Sequence, residues 1–348
     1  MSAQCLISVL KGQVPERRPI WFMRQAGRFL PEYRNTRQQA GSFLSLCYSP
    51  KLAAEVTLQP LKRFDIDAAI IFADILVVPH AMGNGLSFVE GEGPVLETVR
   101  SASDVSRLSN GFGSRQFLSI AESVATVKSQ LDKAIALIGF CGAPWTVASY
   151  MVEGGSSDRE RARIVAYQRE AWFLELIHCL VESSIEYLCL QIEAGADVVQ
   201  IFDSWAGELS DGPFQEFCVA PVARIVAGVK ARHPNTPVIV FAKGVGARHL
   251  EIYVKTGCQA VGIEAECQVT FIKSLLPASA VVQGNLDPLV LLCSDDVIVR
   301  NTEKLVRSVS KNSHIFNLGH GIKPQTDPHT LVKVIDTVRL VDGELANG

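Results

Sequence analysis

Two arginines four residues apart, Arg24 and Arg28, follow directly on the apolar run Ile20-Trp21-Phe22-Met23. Guanidinium is planar and permanently charged, and it grips a carboxylate through two parallel hydrogen bonds. An arginine pair at the end of an apolar run suits an anion clamp at the mouth of a pocket. The same spacing also fits a solvated helix face, and spacing alone leaves both readings open. Asp74 lies within Ile-Phe-Ala-Asp-Ile-Leu. A carboxylate in that setting is expected to be buried, and so to need a partner or a proton. His320 stands between Gly319 and Gly321, which leave the ring unshielded and let a ligand approach. Tyr150 reads as a pocket residue or a core aromatic, and Ser204 as a ligand or a turn cap. Lys243 and Glu264 are expected to be able to pair as a structural contact.

The elements that must position these residues recur in a rhythm. Short apolar runs at 20–23, 68–72, 135–140, 198–202, 238–241, 260–263, 280–283 and 315–318 alternate with longer helical patterns. The runs are continuously apolar, as in a parallel sheet covered on both faces. Helices are expected from Ser49-Pro50 onward, over 171–194 with a stop at Gly195, over 212–232, over 297–311 and over 328–341, with a further helix end at 255–257. Pro31 is read as an interruption. Residues 76–100 are expected to form a loop or hairpin, and the glycines of 150–158 suit a flexible flap. Eight strands with helical crossovers predict a (β/α)8 barrel, one domain over 1–348 with short irregular ends. A doubly wound open sheet is the alternative, but no G-x-G-x-x-G follows the first run. In a barrel the strand C-termini carry the chemistry. Arg24, Gln25 and Arg28, then Asp74, Tyr150, Ser204, Lys243, Glu264 and His320, all follow such runs and would share one rim.

The net charge of −3 and the lack of a polybasic run argue against a nucleic-acid surface. Nine cysteines include no C-x-x-C pair, so reduced, mostly buried thiols in a cytoplasmic protein are expected. Neither a signal peptide nor a bilayer-length apolar run is expected. The chain also lacks the His-x-Cys pair that a zinc-dependent, cobalamin-linked methyltransferase on a similar barrel would need.

Five blocks then carry a resemblance: PIWFMRQAGRFLPEYR at 19–34, IFADILVVPHAMG at 71–83, GFCGAPWTVASYMVEGG at 139–155, FDSWAGEL at 202–209 and FNLGHGIKP at 316–324. Together they resemble the uroporphyrinogen decarboxylase family over nearly the whole chain. Phe29 stands where that family usually has Tyr. The resemblance implies a barrel, usually a homodimer, active in haem and tetrapyrrole synthesis without metal or organic cofactor. It implies that Arg24, Gln25, Ala26, Gly27 and Arg28 form the substrate-binding loop. It also implies that Asp74 is the central catalytic carboxylate, with Arg24 and Arg28 beside it, and that Tyr150, Ser204 and His320 contact the substrate, uroporphyrinogen. A non-catalytic tetrapyrrole-binding protein could keep the arginines but would have no need of Asp74. Arg24 and protonated Asp74 are both candidates for the proton donor.

Overall fold

Seven of the expected runs become strands of one parallel sheet in the computed structural model, which describes residues 4–89 and 93–347. They are β1 (Ala68–Ile70), β4 (Ala136–Gly142), β5 (Val198–Asp203), β6 (Val238–Ala242), β7 (Ala260–Gly262), β8 (Val281–Gln283) and β9 (His314–Ile315), hydrogen-bonded in that order. β2 (Leu86–Val89) and β3 (Gly93–Leu96) form a separate antiparallel hairpin. Every residue of β4 and β6 is buried, as continuous apolar strands between two covered faces require.

Alternate residues face opposite ways. Ala68, Ile138, Val198, Ile239, Phe241, Ala260, Val281 and Ile315 pack with Trp21, Met23 and the helix Cys5–Leu10 in one inner cluster. Their neighbours along each strand, such as Val199, Val240 and Val261, join the cluster beneath the outer helices. Inside, the Trp21 indole donates to Gln283 at 2.9 Å and Gln283 donates to Gln200 at 3.1 Å, which satisfies polar groups that burial would otherwise penalise.

Residues 20–23 do not form the expected strand. Ile20 makes a single parallel bridge to Phe316. Trp21 N–H donates to Phe316 O at 3.3 Å, Phe316 N–H to Pro19 O at 2.9 Å, and Asp67 N–H to Ile20 O at 2.8 Å. The ladder stops because side chains take the remaining donors. Asp67 accepts from Ile20 N–H, Gln25 from Phe22 N–H and Asn317 from Met23 N–H. The segment is anchored instead by Arg18, which is wholly buried. Arg18 binds the Asp342 carboxylate and the carbonyls of Val306 and Val309, tying the start of the chain to its last helix.

The helix over 171–194 appears as Ala171–Glu193. That over 212–232 runs from Asp211 through a π-helical turn, Gln215–Val219, to Arg232. The last two are Asp295–Ser308 and Pro328–Asn347, the latter running past 341. Ser49 holds the N-cap position of Pro50–Arg63 without a side-chain cap bond. Pro31 does not interrupt; it opens the helix Pro31–Gln39, where its missing N–H has no intrahelical partner to lose. Residues 76–100 hold the short helix Val77–Ala81 as well as the hairpin. Among the described residues no helix is long and apolar enough to cross a membrane, and all nine cysteines are free.

Candidate active site

Arg24 and His320 are brought together by backbone stitching. Ile322 N–H donates to Met23 O at 2.9 Å, and Met23 N–H donates to Asn317 at 3.0 Å. The Arg24 side chain then lies flat on Gly321, where a Cβ would meet its Cδ at 2.4 Å. Only glycine admits that contact. Gly319 has a similar reason: its Cβ would fall 2.1 Å from the Ala265 nitrogen. The glycines flanking His320 are thus required by close approach. Arg24 takes a left-handed backbone, φ 64°, which costs a non-glycine residue on the order of 1 kcal/mol.

Gln25 serves the loop rather than its open side. It is fully buried, its oxygen accepting from Phe22 N–H and its nitrogen donating to Ala68 O at 3.1 Å. Ala26 and Gly27 are half-buried and Arg28 is exposed. Arg24 and Arg28 are both exposed, and neither guanidinium has an ion-pair or hydrogen-bond partner among the described residues; the segment that carries them is a succession of turns, so the pair does not lie on a helix face.

Asp74 follows β1, and its Oδ1 accepts from Leu76 N–H at 2.8 Å. Burial raises its pKa, opposed by that hydrogen bond and by the charge of Arg24. His320 accepts from Gly321 N–H at Nδ1, 2.7 Å. The ring proton therefore resides on Nε2, leaving a donor for an anionic ligand. Burial, then the positive charges of Arg24, Lys243 and Lys323, push the His320 pKa down to about 4, so the ring is neutral at pH 7. Tyr150 sits in the helix Pro144–Glu153, its ring centroid 6.3 Å from that of Trp205. Burial raises its pKa, hydrogen bonds with Trp205 and Ser156 oppose the rise, and the Asp74 charge adds to it. Ser204 is half-buried directly after β5. Its loop is held from below, where Thr146 donates to the buried Asp203 at 2.6 Å and accepts from Trp205 N–H at 3.1 Å. Burial takes Asp203 up to about 6 despite hydrogen bonds from Thr146 and Cys218.

Three aromatic residues form a floor that sequence reasoning did not single out. Phe140 meets Phe202 edge-on at 5.5 Å, Phe202 meets Phe241 at 6.0 Å, and Phe241 meets the His320 ring at 6.5 Å. Phe202 and Phe241 lie on the inner face, and Phe140 follows inward Ile138 by two. Strand alternation at the C-terminal ends is the signal that would have found them. The expected flap is pinned rather than free. Gly155 bridges Val95, and Leu96 N–H donates to Gly154 O at 2.9 Å. Arg159 stacks 3.9 Å over Trp205 and pairs with Glu208.

The Lys243–Glu264 pair does not form. Glu264 is buried and instead faces His249 Nε2 at 2.8 Å and Cys267 Sγ at 2.9 Å. Burial would raise its pKa, but those donors bring it down to about 2. His249, Glu264 and Cys267 are also the residues that bring three possible metal ligands together among the described residues. A metal-bound imidazole usually donates its other N–H to an acceptor, and His249 Nδ1 has no partner. The Glu264 carboxylate accepts from both His249 and Cys267, which makes the cluster a carboxylate clamp beneath the His320 loop.

A curled parallel sheet with cations, a carboxylate and an imidazole at its strand C-termini defines an enzyme of the parallel α/β class. A methyltransferase from Methanosarcina mazei shares this fold, with a TM-score of 0.81, 17% identity, and coverage of 99% of this chain and 100% of that one. The family model described as "Uroporphyrinogen decarboxylase (URO-D)" matches residues 1–341. Proteins named uroporphyrinogen decarboxylase are similar from end to end. That of Agrobacterium fabrum is 45% identical over 99% of both chains. That of Paracoccus denitrificans is 46% identical over 97% of this chain and 100% of its own. The chain belongs to the uroporphyrinogen decarboxylase family.

Proposed function

We propose that this protein decarboxylates the four acetate side chains of uroporphyrinogen III to methyl groups, giving coproporphyrinogen III. The observation that carries the reading is the stitched Arg24–His320 pair, which lies beside Asp74 and above the Phe140–Phe202–Phe241 floor. The substrate carries four acetates and four propionates on a macrocycle of pyrroles. Its faces suit an aromatic floor, and its carboxylates suit unpaired guanidinium groups and the Nε2–H of a neutral His320.

Breaking the bond between CO2 and the acetate methylene leaves an electron pair that needs a sink. Many enzymes supply one in a cofactor; here the pyrrole serves. Protonation of the ring carbon beside the acetate-bearing carbon makes the ring cationic. The pair from the breaking C–C bond then flows into the ring as CO2 leaves. A proton adds to the exocyclic carbon to give methyl, and the ring proton departs. In this scheme the Asp74 anion stabilises the ring cation and accepts from its N–H groups in a site that needs no reorganisation. Arg24 and Arg28 position carboxylates, while Tyr150, Ser204 and His320 hold others; Gln25, Ala26 and Gly27 shape the loop.

We read residues 1–348 as one (β/α)8 barrel domain in which 19–21 takes the place of the first strand. Its hydrogen bonds to Phe316 on one side and Asp67 on the other support that closure. The family resemblance supports a cytoplasmic homodimer. The test is an anaerobic incubation with uroporphyrinogen III, followed by mass. Stepwise loss of four CO2 is expected; a folded sample that releases none refutes the proposal.

A further inference from the structure

Lys243 has no role in the scheme above, yet its placement demands one. It follows β6 directly and continues the inward series Ile239, Phe241 by the two-residue period of a strand. Its backbone is fixed on both sides: Lys243 N–H donates to Asp203 O at 2.9 Å, and Gly207 N–H donates to Lys243 O at 2.9 Å. The first bond continues the β5–β6 ladder, in which Asp203 pairs with Ala242. The side chain is half-buried, and among the described residues its ammonium has no ion pair and no hydrogen bond. Glu264, the carboxylate expected to neutralise it, is held by His249 and Cys267. Half-buried Lys128, Lys230, Lys273 and Lys333 have partners, as Lys230 does in Thr236 O at 2.7 Å, whereas Lys323, just past His320, is unpaired like Lys243 among the described residues. Two residues before Lys243, the Phe241 ring meets the His320 ring.

A half-buried ammonium with no protein counter-charge keeps its head open to water and to any anionic ligand that enters the site. The ligand must be an anion, and it must lie inside the rim that Lys243 shares with Arg24 and His320. We propose that Lys243 binds a carboxylate of the tetrapyrrole substrate, as a specificity-determining cation on the wall opposite the arginine loop. This rests on the decarboxylase reading. An eight-carboxylate substrate brings more negative charge than Arg24 and Arg28 can match, and Lys243 supplies a further point charge where planar bidentate geometry is not needed. The same charge is among those that keep His320 neutral.

The test compares wild type with Lys243→Met, which keeps the aliphatic stem, and Lys243→Arg, which keeps the charge. Steady-state kinetics with uroporphyrinogen III under anaerobic conditions are read beside anaerobic equilibrium binding of the product, coproporphyrinogen III. Losing one charge-assisted hydrogen bond corresponds to about a 10- to 100-fold change in affinity. Lys243→Met is expected to raise KM by that factor with a smaller change in kcat and an unchanged melting temperature, and Lys243→Arg to restore most of the loss. If Lys243→Met keeps both KM and product affinity within twofold of wild type, the proposal is overturned. A Lys243→Met protein that melts lower, together with a stable Lys243→Arg protein whose KM is no better, also overturns it, because the role is then structural. A wild type that turns over no uroporphyrinogen refutes the decarboxylase reading itself and is distinguished from either result.

Discussion

Replacing Asp74 with Asn removes one negative charge and changes almost nothing else. The Asn side-chain oxygen can still accept from Leu76 N–H, the bond that Asp74 Oδ1 makes at 2.8 Å, so the loop after β1 keeps its shape. Burial raises the pKa of this carboxyl, and the Leu76 N–H and then Arg24 oppose the rise; what the substitution deletes is therefore a half-buried anion beside a cationic loop. Two unit charges about 4 Å apart interact by roughly 4 kcal/mol at an effective dielectric constant near 20. If the ring cation of the decarboxylation lies at that distance, its transition state loses about that much, or a factor of about 1,000 in kcat. Removal of a preorganised transition-state contact elsewhere costs a comparable 100- to 1,000-fold. The ground-state substrate is neutral at its rings, so KM should move by less than about tenfold. The assay is anaerobic turnover of uroporphyrinogen III, with products oxidised and separated by carboxylate number, and urea melts to confirm the fold. A folded Asp74→Asn protein with kcat within tenfold of wild type would refute the cation-stabilising role. A large rise in KM at constant kcat would make Asp74 a binding group only.

Two further outcomes follow from the ionisation pattern. His320 has its folded pKa depressed from 6.5 to about 4, so the native state binds fewer protons than the unfolded chain between those values; its contribution makes the protein lose stability as pH falls from about 6.5 towards 4. Nitrogen NMR of the ring should show the Nε2–H tautomer from pH 5.5 to 8, and a titration midpoint above 6 would contradict that geometry. Glu264 is held near 2 rather than 4.5, so its clamp contributes fully above about pH 4.5 and is lost as pH falls towards 2. Glu264→Gln should cost about 2–3 kcal/mol in urea at pH 7 and much less near pH 2.5, and an equal cost at both pH values would rule out the charge as its source.

Much of the scaffold was legible in the order of residues. Continuously apolar, β-branched runs cannot be solvated on either face, which is why seven of the expected strands appear in one parallel sheet. The helix Ala171–Glu193 was equally clear, because three- and four-residue spacing of large apolar side chains admits only one period. Elsewhere local reading failed for identifiable reasons. Pro31 reads as a breaker or an opener depending on what precedes it. Residues 20–23 have strand composition, but their backbone donors are claimed by Asp67, Gln25 and Asn317. Two of these three acceptors lie far along the chain, and no local pattern contains them.

The site divides the same way. Residue types and their positions after apolar runs determined which side chains had the capacity for anion binding and proton chemistry. Arg24, Arg28, Asp74 and His320 stood out as candidates because glycine, arginine and isolated carboxylate are conspicuous against apolar neighbours, and the family resemblance, not residue type, chose the functional reading of the arginines and of Asp74. Tertiary structure alone decided how they are used. It laid Arg24 on Gly321, put the His320 proton on Nε2, and turned Gln25 inward. It gave Glu264 to His249 and left Lys243 without a counter-charge. Each depends on an approach of a few ångströms between segments far apart in sequence, and hydrogen bonding and desolvation act at that range. The chain order specifies which groups exist, and packing fixes which of them remain unpaired and so available to a ligand.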